Sequence, residues 1–172
     1  MKTCCFTGHR PQKLGYGENS IQCDELKGRL EELIVNLIEE EGVTHFISGL
    51  ALGVDTYAAS IVLNLKSQYP HITLECAIPC ETQAVKWNER DRDFYYDLLS
   101  KSDKETLLQK NYTSNCMQIR NEYMVDNSDY IIAVWNGEPS GTGNTVKYAM
   151  EINKKVFWVN PQTFEVENCY SK

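Results

Sequence analysis

Apolar positions along this chain alternate between short continuous runs and helical stripes. Residues 2–7 read as a first strand. Residues 21–41 predict a long helix, because Leu26, Leu30, Leu33, Ile34, Leu37 and Ile38 share one face. Gly42 supplies the expected stop. A second strand is expected over 44–48 and a second helix over 53–66, with Val54, Ala58, Ile61, Val62 and Leu65 inward. Ile72 to Ile78 reads as a third strand, closed by Pro79. A charged, aromatic helix is predicted over about 82–99, with Trp87, Asp91, Phe94 and Leu98 on its inner face. A short strand at 104–109 precedes a helix at 114–126 that sets Met117, Arg120 and Met124 on one side. Tyr130-Ile131-Ile132-Ala133-Val134-Trp135 is unbroken and apolar, as in a strand covered on both faces. A helix over about 143–153, a strand over 155–159 and a peripheral tail after about 161 complete the order.

Strands and helices joined by short connections predict an α/β fold: an open, mostly parallel sheet with helices on both faces. No repeat, low-complexity tract or linker interrupts the order, so residues 1–172 are expected to form one domain. Ligands of such sheets bind beyond the carboxyl ends of the strands, near the switch in strand order. Three glycine-bearing loops fall there.

The first loop is Thr7-Gly8-His9-Arg10-Pro11. Gly8 allows a tight turn, His9 adds a polar ring, Arg10 can grip a phosphate with two N–H groups, and Pro11 is expected to stop any helix. The second, Ser48-Gly49-Leu50-Ala51-Leu52-Gly53-Val54-Asp55, opens a helix whose first amides favour an anion. Asp55 reads either as a helix starter or as a carboxylate accepting from ribose or base. The third is Ser140-Gly141-Thr142-Gly143-Asn144-Thr145, in which Asn144 and Thr145 are candidate caps and ligand donors. Arg120, beside Asn121, points partly inward and needs an anion, either a carboxylate such as Asp129 or a ligand phosphate. Trp135 is placed to stack on a base, and Trp87, Asn88, Arg90 and Asp91 are candidates for one pocket wall.

The formal net charge of −7 argues against strong general nucleic-acid binding and leaves room for a local basic patch. No stretch reaches the roughly 20 apolar residues of a membrane span, and the N-terminus does not read as a signal peptide. Seven cysteines, two of them adjacent (Cys4 and Cys5), fit reduced thiols and a cytoplasmic location. His9, His45 and His71 stand in unrelated contexts, so no metal site is expected. There is no Walker lysine, no Gly-x-Ser-x-Gly and no His-Glu-x-x-His, and Cys80 reads better as a core thiol than as a nucleophile. The catalytic residues, if there are any, stay unassigned.

The three loops, in this order and spacing, resemble the SLOG superfamily, and within it the YpsA-like branch found in bacteria and prophages. The resemblance covers residues 1 to about 160. It implies a Rossmann-like, doubly wound fold and a nucleotide-derived ligand of the NAD or ADP-ribose type, with no cofactor required. On that reading loop amides hold phosphates, Arg10 and Arg120 neutralise charge, and Asp55 or Asn144 reads ribose or base. Two related families supply alternatives. The third loop and Arg120 are similar to LOG-type phosphoribohydrolases, which cleave the N-glycosidic bond of nucleoside monophosphates. Their catalytic Glu falls where this chain has Tyr148, with Asp55 or Asp126 as stand-ins. The middle loop is similar to that of the DNA-binding DprA family, which has an Arg where this chain has Leu52. The expected partner is therefore a small nucleotide-type ligand, with nucleic acid unlikely, no membrane, and self-association left open.

Overall fold

Every interior residue of β1 (Lys2–Gly8) is buried, and the strand lies fourth of seven in the sheet. A computed structural model describes residues 1–169 of the chain. After β1 come α1 (Pro11–Leu14), α2 (Ile21–Glu39), β2 (Val43–Ser48), α3 (Val54–Leu65), β3 (Thr73–Ile78), α4 (Glu89–Lys101) and β4 (Lys104–Leu107). Then follow α5 (Cys116–Asp126), β5 (Tyr130–Val134), α6 (Gly141–Glu151), β6 (Lys155–Val159) and β7 (Val166–Cys169). The sheet order is β4-β3-β2-β1-β5-β6-β7, parallel except for β7.

This is the expected Rossmann-like, doubly wound sheet. From β1 the chain winds outward through β2, β3 and β4, then returns to the other side of β1 as β5. The crossovers put α2, α3 and α4 on one face and α5 and α6 on the other. Each face has its own apolar cluster. Phe6, Phe46, Leu30, Ile34, Ala58 and Val62 belong to the first. Cys5, Ile47, Ala77, Met124, Ile131 and Val146 belong to the second. The switch in winding lies between β1 and β5, where Gly8 is level with Val134. The chain therefore leaves the sheet there as two adjacent loops.

Local chemistry sets several boundaries differently from the sequence pattern. Pro11 starts α1 rather than preventing a helix, because proline lacks only an N–H that a first helical residue leaves unused. The charged helix begins at Glu89, not near 82, since the Asn88 side chain accepts from the Asp91 N–H at 2.9 Å. Its buried residues are Tyr95 and Leu98, so Asp91 does not face inward. The last helix begins at Gly141, capped by Ser140 rather than by Asn144 or Thr145. Past residue 161 the chain forms an antiparallel edge strand, and Phe164 and Val166 pack on the core. Positions 170–172 of the expected tail lie outside the described residues. Among the described residues no helix is long and apolar enough to cross a membrane.

One polar cluster lies within the sheet. Glu75, 2% exposed on β3, has His45 Nε2 at 2.8 Å and accepts from Thr106 Oγ1 at 2.7 Å and Tyr123 OH at 2.6 Å. Burial alone would raise its pKa, but these bonds outweigh burial and bring it down to about 2. The ionised form is thus favoured by folding above the ordinary value of 4.5, and that stabilisation is lost as pH falls towards 2. Glu75→Gln is expected to cost about 1–3 kcal/mol at neutral pH. In thermal melts the gap from the parent protein should narrow steadily as pH falls below 4.5.

Candidate functional site

The two loops that part at the switch in strand order enclose a cleft of about 380 Å³. Its walls are recruited from five places. The end of β1 contributes Thr7, Gly8, His9 and Arg10, and α1 contributes Gln12 and Lys13. The β2–α3 turn, with the first turn of α3 that it leads into, adds Ala51 and Asp55. From α5 come Met117, Arg120 and Asn121, and the start of α6 supplies Ser140, Gly141 and Thr142.

Arg120 is 3% exposed. Its Nη1 donates to the Gly49 carbonyl at 2.5 Å and its Nε to Asn121 Oδ1 at 2.8 Å. No carboxylate lies within ion-pair distance of it among the described residues. Asp129, the partner considered from sequence, instead accepts from the Thr3 N–H at 2.9 Å. The carboxylate that Arg120 feels is Asp55, across the cleft wall. Burial pushes the Asp55 carboxyl up to about 6, and Arg120, the Ala51 amide and Arg10 pull it back only in part. Arg10 and Lys13 are exposed at the mouth. The cleft thus holds three cationic side chains against one acid, in a chain of net charge −7.

Helix α6 adds an anion-favouring end. Ser140 Oγ accepts from the Gly143 N–H at 3.0 Å, and the first intrahelical bond runs from Asn144 N–H to Ser140 O at 2.9 Å. The amides of Gly141 and Thr142 precede that bond and lie in the cleft wall, where the helix dipole favours negative charge.

Most of the loop glycines serve loop packing rather than ligand access. A Cβ on Gly8 would meet Val54 at 2.5 Å, and one on Gly53 (φ +95) would meet the His9 carbonyl at 2.7 Å. A Cβ on Gly49 would collide with the Arg120 guanidinium, and one on Gly143 would press on Trp135 at 3.1 Å. Only Gly141, of those five, is open. His9 fastens the first loop to the third: its Nε2 accepts from the Asn136 N–H at 3.1 Å. Burial holds this imidazole below its ordinary pKa, which keeps Nε2 free to accept.

The structure therefore divides the sequence-derived candidates. Gly8, His9, Arg10, Asp55, Arg120, Asn121 and Gly141 come together in the cleft wall. Ser48, Gly49, Gly53, Gly143 and Thr145 lie behind it. Ser48 Oγ donates to the Asp55 carbonyl at 2.8 Å, and Thr145 Oγ1 donates to the Gly141 carbonyl at 3.0 Å. Asn144 is exposed away from the wall. The Trp135 indole packs on Trp158, with ring centroids 5.1 Å apart, and donates to the Glu138 carbonyl at 2.7 Å. Trp87, Asn88, Arg90 and Asp91 also stand outside the wall; Trp87 packs edge-on against Tyr95 and Arg90 pairs with Glu18. Of the two stand-in acids, Asp55 lines the cleft, whereas Asp126 is exposed and accepts from Tyr148 OH at 2.7 Å. Sequence reasoning missed Thr7, Gln12, Lys13, Ala51, Met117, Ser140 and Thr142 as wall residues. Ser140 and Met117 carried a signal: a serine just before a glycine-rich helix start marks a cap, and Met117 sits one turn from Arg120.

The raised pKa of Asp55 has a sign that can be checked. A carboxyl raised from 3.8 to about 6 favours folding below 3.8, and that contribution is lost as pH rises through 6. Asp55→Asn should therefore raise the melting temperature above pH 6 and make little difference below pH 3.8.

Comparison with known proteins supplies the relationships. The family model described as the YspA SLOG family (YpsA) matches residues 4–162. A UPF0398 protein of Halalkalibacterium halodurans is 32% identical over 158 residues, covering 90% of this chain and 82% of its own. The SPbeta prophage-derived protein YoqJ of Bacillus subtilis is 32% identical over 161 residues, covering 85% of this chain and 94% of its own. Among solved structures, DprA of Streptococcus pneumoniae superposes with a TM-score of 0.63 at 20% identity over 95% of this chain, which spans about half (52%) of that protein. DprA of Helicobacter pylori, solved for its single-stranded DNA binding mode, gives 0.61 at 18% identity over 96% of this chain and 68% of its own. That finding overturns the expectation of nucleic acid as an unlikely partner. The expectation rested on net charge and on Leu52, but net charge averages over the whole surface, while Arg10, Lys13 and Arg120 make the cleft locally positive. The family model, which spans most of its length, shows that the chain belongs to the YpsA SLOG family.

Proposed function

We propose that this protein binds a phosphate-bearing nucleotide or nucleotide-derived ligand in the cleft between the β1 and β5 loops. One observation carries the reading: Arg120 is 3% exposed, lines the cleft and has no carboxylate at ion-pair distance among the described residues. A buried cation without a direct counter-ion is costly to the free protein and is suited to a ligand that brings the negative charge. The Gly141 and Thr142 amides and Arg10 would take the remaining phosphate oxygens. Asp55, ionised above about pH 6, would accept from ribose hydroxyls. NAD, ADP-ribose and nucleoside monophosphates all present this combination of phosphate and sugar.

A panel of these compounds in a thermal-shift assay tests the reading. At least one is expected to raise the melting temperature of the parent protein. Arg120→Met should weaken that ligand by about tenfold or more, the worth of a charged hydrogen bond. If no compound stabilises the parent protein, the reading fails. Assay of the same mixtures for free base and ribose phosphate separates binding from N-glycosidic cleavage.

A second reading is single-stranded DNA, favoured by the fold shared with the DprA structures. Exposed Arg10 and Lys13 at the mouth would then continue a phosphate track outward from Arg120. It predicts oligonucleotide binding whose logarithmic salt slope is about −0.7 per phosphate contact, and which Lys13→Ala makes shallower. Oligonucleotide binding without any response to small nucleotides would favour this reading over the first.

A further inference from the structure

Asp55 is the one acid among the residues that line the cleft, and it is 6% exposed. The charged and titratable groups that act on it come from other elements. Arg120 faces it from α5 and Arg10 from the loop after β1, and both favour its ionised form, as does the Ala51 amide. The buried Cys5 thiol of β1 feels its charge from beneath. His9 and Lys13 line the same cleft. Among the described residues no cation comes within ion-pair distance of Asp55. Asp55 and Arg120 therefore share a space with little water between them and no direct bond to hold the pair together.

An anion that docks on Arg120 enters that space as a second negative charge. It offsets the guanidinium charge that favours the carboxylate, and it repels the carboxylate itself. Both effects drive Asp55 the same way. We infer that Asp55 is the proton-accepting residue of the cleft: when a ligand phosphate docks on Arg120, the Asp55 carboxylate takes one proton from solvent. One O–H bond forms on the carboxylate and no other bond changes. The neutral carboxyl keeps an acceptor oxygen for a ribose hydroxyl and gains a donor. The inference rests on the phosphate reading of this cleft and adds its regulation: the ligand is held more tightly as pH falls. In the free protein Asp55 titrates at about 6, so near neutral pH it is ionised until the ligand arrives. Burial keeps the His9 pKa below its ordinary value, so that ring is neutral there and takes up protons only in acid.

Sulfate, NAD and AMP serve as probes, titrated into the full chain and into Asp55→Asn at about pH 5, about pH 7 and about pH 8. Calorimetry in two buffers of different ionisation enthalpy counts the protons taken up. Sulfate and NAD keep a fixed charge over this range, and the ionisation of AMP and of His9 cancels between the two proteins. From about pH 5 to about pH 8, the parent should lose about tenfold more affinity for at least one probe than the variant does, the size of a one-unit rise in the Asp55 pKa. A measurable fraction of one proton should enter with the anion at about pH 7, and Asp55→Asn should lose that uptake. The same pH dependence and proton count in both proteins would overturn the inference and leave the phosphate site standing. Sulfate or NAD binding to the parent at about pH 7 without proton uptake would overturn it too, whatever the variant does. If none of the three probes binds at any pH, the phosphate reading falls and takes this inference with it.

Discussion

A guanidinium taken out of water needs partners for its N–H groups and for its charge. Arg120 finds the first in the Gly49 carbonyl and Asn121, and the second chiefly in Asp55, which among the described residues lies beyond ion-pair distance. The arrangement depends on close approach. Gly49 has no Cβ because the guanidinium occupies that space. The turn that carries Gly49 is drawn in by Ser48, which accepts from the Leu50 N–H and donates to the Asp55 carbonyl. Gln83 reaches the same carbonyl from the other side. The position of the charge is thus over-determined by neutral hydrogen bonds, as a preorganised site requires.

The remaining loops serve that geometry. Gly53 passes against the His9 backbone and Gly8 against Val54, so the first two loops lie in van der Waals contact. His9 extends the contact to the third loop through the Asn136 amide. A composite site results, with walls from α1, α5 and α6 as well as from the strand ends. The stability cost of burying Arg120 and Asp55 near each other without an ion pair is carried by the two apolar clusters on either face of the sheet.

Much of the site was legible because its chemistry is local. An arginine sharing a helix face with two methionines declares an inward cation, and Gly141 at a strand-to-helix junction declares exposed amides. Other roles could not be read locally. Gly53 and Gly143 look like ligand-facing glycines in sequence, yet they are small because another loop presses on them. Trp135 looks like a stacking platform, yet Trp158, 23 residues later, takes its face. Lys13 and Gln12 enter the wall only because Pro11 begins a short helix beneath the β1 loop.

By itself the sequence determined the alternation of strands and helices, hence the parallel sheet and the end of it where ligands gather. That information is carried by periodicity and by turn residues, each of which acts over a few positions. Among the described residues, tertiary structure alone decided which loop residues face the cleft, that Arg120 is left without a direct carboxylate partner, and that Gln83 shares the Gly49 carbonyl with Arg120. Those properties depend on contacts between residues 34 to 71 positions apart, such as Gln83 and Arg120 with Gly49. No local pattern encodes such pairings, because they follow from how the sheet twists its loops together.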